Sequence, residues 1–483
     1  MNGLILQAFE WYLPNDGNHY NYLKSQLDYF KELGITALWL PPFCKAFGLN
    51  DVGYGIYDLY DLGEFDQKGG IRTKYGTKEE LISLIDKAHE KGIKVYGDFV
   101  LNHKAGADET QLFKAVKVDS NNRTKDIEPP KDIKGWTKFT FTGRKAKYSD
   151  FKWSFEHFSG VDYDDISKEK AIFRILGENK YWNENVSKEK GNFDYLMFAD
   201  IDHDHPAVVE ELKRWAKWVI NETKIDGIRY DAMKHIDGAF LNDFTDFILN
   251  EVKSDMYFVG EYWENSQEKL VNFIEHTKDN IDLFDVTLHF RLFDAGWKKE
   301  KFDLRTLFDN SLESQRSMSA VTFVDNHDSQ QGQALESWVV EDFKQTAYAI
   351  ILLRLTGYPC VFFGDLFGIG DKSLYSGIGD KIIPLMELRR DYAYGEERLY
   401  MQEPNAIGFT RLGDEEHPGS IAVAISNNGD KFVRMNVGKN KAGKIYYDYL
   451  QNHLGEITID ENGDGDFPVY NKSVSVWVEK LNG

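Results

Sequence analysis

The stretch Asp226-Gly-Ile-Arg-Tyr-Asp231 ends an apolar segment with a cation and a carboxylate two residues apart. Residues two apart on a β-strand project from the same face, so Arg229 and Asp231 are expected to point the same way. A lone Arg-x-Asp pair is most often a structural ion pair. Here, however, an apolar strand that finishes in polar side chains occurs four times, and this repetition predicts a functional site at the strand ends.

The other three strand ends also carry Asp, Glu, Asn or His. They are Asp98-Phe-Val-Leu-Asn-His103, Phe258-Val-Gly-Glu261 and Phe323-Val-Asp-Asn-His-Asp328. In a (β/α)8 barrel, the carboxyl ends of the parallel strands surround the active site. We therefore expect one pocket to be lined by the polar side chains of these four ends: Asp98, Asn102, His103, Arg229, Asp231, Glu261, His327 and Asp328.

Strand-like and helix-like segments alternate over residues 1–103 and 206–390. Their order gives eight strand–helix units, the number that closes a (β/α)8 TIM barrel. The apolar pattern places the sixth strand at Leu283–Phe290 and the following helix within Leu304–Leu312. A doubly wound open sheet is the alternative, but no glycine-rich phosphate loop follows the first strand.

Two segments depart from this alternation. Residues 104–205 are too long for a loop inside a compact domain, so we expect an inserted subdomain after strand 3. Residues 391–483 contain short alternating strands separated by Gly, Asn and Asp, which predicts a C-terminal antiparallel β-sandwich domain. The predicted fold class is α/β, with the barrel formed by the two parts that flank the insert.

The composition restricts the kinds of partner. The chain of 483 residues has a formal net charge of −21, which argues against nucleic acid and anionic membranes as partners. Aromatic residues make up 14% of the chain, which suits both a large core and stacking against sugar rings. Two cysteines are too few for a disulfide framework.

The location of the protein is predicted from its first residues and its apolar runs. Met1-Asn-Gly leads into an apolar strand without a basic segment or a cleavage site, and the longest apolar run, Ala347–Leu355, contains Arg354. We expect a cytoplasmic, monomeric protein. A mature secreted form is the alternative that the sequence leaves open.

Three carboxylates on three strands, Asp231, Glu261 and Asp328, favour hydrolysis of a glycosidic bond. Two carboxyls about 5 Å apart give retention of configuration, and a wider separation gives inversion. Asp231 beside Arg229 is expected to stay ionised and to suit a nucleophile. Glu261 ends an apolar strand, where desolvation would keep its proton and make it a general acid.

The four strand ends, in this order, resemble the four short motifs of the α-amylase family of glycoside hydrolases. A finer resemblance, to liquefying bacterial α-amylases and their intracellular relatives, is carried by further stretches: Phe9–Tyr12, Val52–Gly55, Tyr57–Phe65, Arg72–Gly76, Asp194–Met197 and Ala199–Asp202. The resemblance covers the whole chain. It implies a retaining enzyme that cuts α-1,4-glucosidic bonds within starch, glycogen or maltodextrins.

The resemblance also implies roles for individual residues. Asp231 would be the nucleophile, Glu261 the acid/base, and Asp328 a third carboxylate that holds sugar hydroxyls. Residues implied to bind substrate are Tyr54, Asp98, His103, Arg229, Lys234, His235 and His327. Among these, Tyr54 would be a stacking platform, and Lys234 and His235 would lie on the leaving-group side.

Calcium is the metal that the resemblance implies. Its ligands would be Asn102, Asp194, Asp200 and the backbone carbonyl of His235, all hard oxygen donors of the kind that Ca²⁺ prefers. The alternative is that Asp200, Asp202 and Asp204 simply face solvent.

Three positions depart from the family pattern. Liquefying enzymes carry aspartates of a multi-metal cluster where this chain has Asn183 and Ser159, which leaves open whether additional ions bind and keeps the single calcium. Tyr230 stands where a leucine is usual, and it is expected to point away from Asp231.

Rival functions include a transglycosylase, an exo-enzyme that forms malto-oligosaccharides, and a glucan-binding protein with an inactive site. The three intact carboxylates argue against the last.

Overall fold

The computed structural model describes residues 2–480, and the first part of the barrel comes first in the chain. Met1 and residues 481–483, which belong to the predicted ranges 1–103 and 391–483, lie outside the described residues. The elements of this part are β1 (Ile5–Gln7), α1 (His19–Glu32), β2 (Ala37–Trp39), β3 (Lys45–Ala46), β4 (Ile56–Asp58), α2 (Lys78–Glu90) and β5 (Lys94–Phe99). A capping box starts α2, because Thr77 accepts from Glu80 N and the Glu80 carboxylate accepts from Thr77 N.

The insert is a six-stranded sheet attached to the end of β5. Its strands are β6 (His103–Lys104), β7 (Glu109–Lys117), β8 (Lys131–Lys138), β9 (Phe158–Asp164), β10 (Glu169–Ile175) and β11 (Ala199–Ile201). They pair antiparallel in the order β6-β11-β9-β10-β7-β8. Because β6 pairs His103 with Asp200, the insert brings its own acidic residues to the rim of the barrel.

The second part of the barrel returns to alternating elements. They are α3 (Pro206–Thr223), β12 (Gly227–Tyr230), α4 (Gly238–Glu251), β13 (Tyr257–Gly260), α5 (Gln267–His276), β14 (Asp282–Phe284), α6 (Val286–Lys298), α7 (Leu312–Gln315), β15 (Ala320–Phe323), α8 (Glu341–Leu353), β16 (Tyr358–Phe362), α9 (Phe363–Phe367) and α10 (Gly379–Asp391). Eight parallel strands close in the order β1-β16-β15-β14-β13-β12-β5-β2. The predicted (β/α)8 barrel is thereby confirmed.

The predicted sixth strand over Leu283–Phe290 is wrong beyond Phe284. Helix α6 begins at Val286, because the side chain of Asp285 caps it by accepting from Leu288 N at 2.8 Å. Within this helix Val286 and Leu288 are buried, but so are the polar Thr287 and His289 beside them, and Phe290 is half-buried. The helix predicted within Leu304–Leu312 is only a 3-10 turn at Leu304–Thr306, followed by α7.

The C-terminal part is built from β-strands, as predicted. They are β17 (Glu397–Glu403), β18 (Ala406–Arg411), β19 (Ile421–Ser426), β20 (Lys431–Asn436), β21 (Ile445–Asp448), β22 (Glu456–Thr458), β23 (Asp464–Val469) and β24 (Ser473–Glu479). An antiparallel sheet β17-β18-β19-β24-β21-β22 and the pair β20-β23 share a core that includes Met435, Phe467 and Trp477.

The helices of residues 2–480 include none that combines the length and the apolar composition needed to cross a bilayer. The predicted divisions at residues 103, 205 and 390 stay predictions, although the barrel, the insert and the C-terminal sheets follow one another in the expected order.

Candidate active site

The guanidinium of Arg229, fully buried at the end of β12, holds three carboxylates. Its Nη1 donates to Asp98 Oδ1 at 2.8 Å and to Asp231 Oδ1 at 2.7 Å, and its Nη2 donates to Glu261. The register explains this convergence, because Arg229 pairs with Asp98 on β5 and with Val259 on β13. The contact with Asp231 follows from the two-residue spacing. The contact with Glu261 was not predicted.

Asp231 and Glu261 follow paired residues of adjacent strands. Tyr230 pairs with Gly260, and Glu261 N donates to the Tyr230 carbonyl at 3.0 Å. Neighbouring strands lie about 4.8 Å apart, so the two acids leave the barrel side by side at the same rim. Each carboxylate is 10% exposed, whereas the side chains of Arg229 and Asp98 are completely buried. A small molecule at the rim can therefore reach Asp231 and Glu261.

Glu261 has the environment of a proton donor. Burial raises the pKa of Glu261 well above its ordinary value; Arg229 lowers this pKa, while the nearby Asp328, Asp231 and Asp98 raise it further. A carboxyl whose pKa is raised keeps its proton near neutral pH and can protonate a leaving group. This direction agrees with the expectation from the apolar strand that precedes Glu261.

Asp328 lies in the loop after β15, with its side chain 23% exposed and His327 Nε2 at 3.3 Å from its Oδ2. Burial raises the pKa of Asp328 to about 7. Gln7 Nε2 donates to His327 Nδ1 at 2.9 Å, so the proton of the neutral imidazole is on Nε2 and faces Asp328. Sequence reasoning missed Gln7, because a single polar residue at the end of the short first strand does not stand out.

Three parallel rings form a wall beside the carboxylates. Tyr54 and His327 stack with centroids 5.1 Å apart, and Trp11 lies 6.0 Å from each ring. The interplanar angles are 5°, 7° and 10°, so the rings present a flat stack of the kind that packs on a sugar face. The sequence leaves open whether Trp11 lines the site or packs in the core, and the structure places it in this wall.

Asp98 and His103 support this wall from inside. Asp98 Oδ2 accepts from Tyr54 OH at 2.9 Å and from Trp39 Nε1 at 3.0 Å. His103 Nε2 donates to the Tyr54 carbonyl at 2.9 Å. Both predicted site residues are almost fully buried, so they fix the position of Tyr54 and, through Asp98, of Arg229. Trp39, at the end of β2, is another residue that sequence reasoning missed.

Lys234 and His235 lie in a 3-10 turn, Met233–His235, between barrel and insert. Lys234 Nζ is 2.5 Å from Glu189 and 3.4 Å from Glu264. His235 Nδ1 donates to the Phe193 carbonyl at 2.7 Å. The structure therefore places these two predicted residues where the insert contacts the barrel, in a turn whose Met233 N donates to the Glu261 carbonyl at 3.0 Å.

The predicted calcium ligands occupy a buried junction between the barrel and the insert. Asn102 Oδ1 is buried and lacks a hydrogen-bond partner within the described part of the chain. Asp194 and Asp200 are each 1% exposed, and no ion pair between residues 2 and 480 involves either of them. Burial raises the pKa of both carboxyls, and Asp194 raises that of Asp200 further. A buried amide oxygen without a partner, together with two buried carboxylates that make no direct ion pair, fits a hard cation.

The solvent-facing alternative for the acidic run is wrong for two of its three members. Asp200 and Asp202 are 1% and 4% exposed, and only Asp204 is exposed to solvent. No group of three His, Cys, Asp or Glu side chains with the arrangement of a metal site occurs in residues 2–480. The predicted set differs in kind, since it combines two carboxylates with an amide and a backbone carbonyl.

The two neutral residues that replace aspartates hydrogen-bond to the predicted ligands. Asn183 donates its backbone N and its Nδ2 to the two oxygens of Asp194, both at 2.9 Å, and Ser159 Oγ donates to Asp200.

The orientation predicted for Tyr230 is confirmed. Its hydroxyl lies 3.2 Å from Thr245 Oγ1 and its ring stacks on Phe258, outside the barrel.

Comparison with known proteins covers both parts of the chain. The family model described as the α-amylase catalytic domain matches residues 19–411, and the one described as the α-amylase C-terminal domain matches residues 421–478. An α-amylase of Geobacillus stearothermophilus is 47% identical over 99% of this chain and 87% of its own length. A glucan 1,4-α-maltohexaosidase of Bacillus sp. (strain 707) is 45% identical over 99% and 93%. The cytoplasmic α-amylase of Escherichia coli (strain K12) is 40% identical over 99% of both chains.

Proposed function

The chain belongs to the α-amylase family of glycoside hydrolases, and from this premise we propose that it is a retaining, endo-acting α-amylase. Its substrates would be the α-1,4-glucosidic bonds of starch, glycogen or maltodextrins. The observation that carries the proposal is the pair Asp231 and Glu261, which lie side by side at the rim and are bound to one guanidinium.

The proposed reaction has two steps. Asp231 attacks C1 of the sugar while Glu261 gives its proton to the glycosidic oxygen, so the C1–O bond breaks as a C1–Asp231 ester forms. Glu261, now ionised, then takes a proton from a water that attacks C1 and releases Asp231. Two inversions give net retention, and adjacent strands about 4.8 Å apart support the short carboxyl separation that this mechanism needs.

The remaining residues hold the sugar and the two reacting acids. Asp328 would accept hydrogen bonds from sugar hydroxyls, since it is partly exposed beside His327. Tyr54, with Trp11 and His327, would stack against the ring. Asp98, His103 and Arg229 would act from within the barrel, and Lys234 and His235 would bind the leaving-group side of the chain.

A time course of amylose digestion tests this function. We expect iodine staining to fall well before much reducing sugar appears, with α-anomers formed first by NMR, since internal cuts shorten chains quickly and double displacement retains configuration. One relative is named as a maltohexaosidase. An exo-acting enzyme that releases one malto-oligosaccharide is therefore the alternative that this test must distinguish. Accumulation of one oligosaccharide from the start would favour the exo-acting enzyme. Products longer than a maltoheptaose substrate would indicate transglycosylation. If β-anomers formed first, the retaining mechanism would be contradicted.

We also propose a structural calcium ion, held by Asn102, Asp194, Asp200 and the carbonyl of His235. The ion would supply positive charge to two buried carboxylates and join the end of β5, the insert and the turn after β12. The four ligands would thereby fix the position of the insert relative to the barrel and maintain the cleft between them.

Chelation is expected to lower the thermal stability of the protein. A ligand present at 100 times its Kd stabilises the folded state by about 2.7 kcal/mol, so stripping with EDTA followed by gel filtration should lower Tm measurably. Added Ca²⁺ should restore Tm, and equimolar Mg²⁺ should not, because Mg²⁺ demands a tighter octahedral site. A Tm that does not respond to EDTA would count against the calcium site.

The protein is further proposed to act in the cytoplasm as a monomer. The Escherichia coli relative is named cytoplasmic, which supports the location. A net charge of −21 supports an uncharged glucan, in preference to nucleic acid or an anionic membrane, as the partner.

A further inference from the structure

A buried lysine binds two carboxylates beneath the loop that carries Asp328. The Nζ of Lys344, near the start of α8, lies 2.7 Å from Asp325 Oδ2 and contacts Asp365 Oδ1, and all three side chains are completely buried. The same Nζ is 3.0 Å from the centre of the Trp338 ring. Burying an ammonium is costly unless it is paired, so the lysine and the two carboxylates fix one another's positions. The proposed reaction uses none of the three.

Asp325 holds both ends of the loop between β15 and α8. Its Oδ1 accepts from Ser329 Oγ at 2.9 Å, and its Oδ2 accepts from Val339 N at 3.3 Å. The two ends also bind each other, because Ser337 N donates to the Ser329 carbonyl at 3.1 Å. The carboxylate that Lys344 pairs with is therefore the point at which this loop closes.

The same hydrogen bonds continue to Asp328. Ser329 Oγ, which donates to Asp325, accepts from Asn326 N at 2.9 Å. Asn326 Oδ1 in turn accepts from Asp328 N at 2.9 Å and from Ser329 N at 2.8 Å. The backbone of Asp328 is thereby fixed, while its carboxylate stays partly exposed to the site. Precise placement matters here, since a shift of about 1 Å in such a group can lower a rate by about 10²-fold.

We propose that Lys344 is a positioning residue for the reaction. Its ammonium holds Asp325, Asp325 holds the loop through Ser329, and the loop presents Asp328 to the sugar. Lys344 acts through these residues, since its own side chain is completely buried. This inference rests on the proposed function, in which Asp328 binds hydroxyls of the reacting sugar. The alternative is an ion pair that contributes to stability alone.

Ser329→Ala tests the link with little disturbance of the fold, because it removes one hydroxyl and keeps the ion pair. Well below the Tm of the variant, kcat on maltoheptaose should fall by about 10-fold or more. KM should change less than about twofold, because the sugars bound away from the reacting one keep their contacts. Lys344→Met should show the same division between kcat and KM, with a larger loss of kcat and a lower Tm.

A double-mutant cycle shows whether the loss passes through Asp328. In the Asp328→Asn background, adding Ser329→Ala should lower kcat by less than about twofold, because the group that it positions has already been removed. A dinitrophenyl α-maltoside keeps these slow rates measurable. Equal losses in the two backgrounds would overturn the positioning role.

Tyr348→Phe is the matched control within the same buried network. The Tyr348 hydroxyl donates to Asp365 Oδ2 at 2.7 Å, so this variant loosens the second carboxylate without touching the loop. Its Tm should fall and its kcat should stay that of the wild type. A loss of kcat as large as that of Ser329→Ala would show that loosening the network anywhere has this effect, and would overturn the proposal.

The outcomes separate this inference from the proposed function. A wild type that does not hydrolyse maltoheptaose would overturn the proposed function, and full activity of Asp328→Asn would overturn the role of Asp328; either result removes the role of Lys344 as well. With hydrolysis and the role of Asp328 confirmed, an unchanged kcat in Ser329→Ala overturns the positioning role alone. If Lys344→Met does not fold, Ser329→Ala and its double-mutant cycle decide.

Discussion

Replacing Glu261 with Gln is expected to lower kcat on starch by about 10²–10⁴-fold and to leave malto-oligosaccharide binding nearly unchanged. The amide keeps the size of the side chain but cannot protonate the glycosidic oxygen or deprotonate water. Initial rates on amylose and calorimetric binding of maltoheptaose to the variant measure the two effects. Glu268→Gln, an exposed site in the first turn of α5, is the matched control and should keep full activity.

A substrate with a good leaving group makes this prediction more specific. A dinitrophenyl α-maltoside needs no acid, so Glu261→Gln should form its glycosyl ester on Asp231, and added azide should release an α-glycosyl azide. In Asp231→Asn, azide should replace the nucleophile and give the β-glycosyl azide. Equal losses on starch and on the activated substrate, or the opposite anomers, would contradict the roles of the two acids.

Replacing Arg229 with Leu is expected to lower the free energy of unfolding by about 3–5 kcal/mol at pH 7. The variant keeps Asp98, Asp231 and Glu261 in the barrel but removes the cation that all three contact. Urea denaturation measures the loss. Arg305→Leu, which breaks an exposed pair with Asp303, should cost little by comparison.

The loss in Arg229→Leu should depend on pH with a definite sign. Arg229 lowers the pKa of Asp98 and of Glu261, against burial, which raises both. Without the cation these folded-state pKa values rise further above the unfolded values of about 4. Groups shifted this way favour folding while they are protonated, and that contribution disappears as pH rises through the folded pKa. The deficit should therefore be smallest near pH 4.5 and grow toward pH 8; a deficit independent of pH would contradict this account.

Charge at the end of an apolar strand was the informative signal for the site. Asp98, Asp231, Glu261 and Asp328 could be found because each follows a buried run, and in parallel strands such ends must meet at one rim. Gln7 and Trp39 sit at equivalent strand ends but were missed, since one polar or aromatic residue in a short apolar strand does not stand out. Trp11 follows β1 in a loop whose path no local pattern describes.

The error at Leu283–Phe290 has a local cause. Val286-Thr-Leu-His-Phe alternates in polarity as a strand would, but Asp285 caps Leu288 N and the helix that follows packs against the barrel. Over so few residues, the same apolar pattern fits a strand or a helix. The capping hydrogen bond of Asp285 favours the helix, and periodicity does not reveal it.

By itself, the sequence determined the eight strand–helix units, the four acidic strand ends and the place of the insert, because period and spacing act between residues close in the chain. Only the tertiary structure decided that one guanidinium binds Glu261 as well as Asp231, that Gln7 sets the tautomer of His327, and that Lys180 pairs with Asp202. These contacts join residues 22 to 320 positions apart, so they form only when distant strands of the barrel, or distant segments of the insert, are brought together by folding.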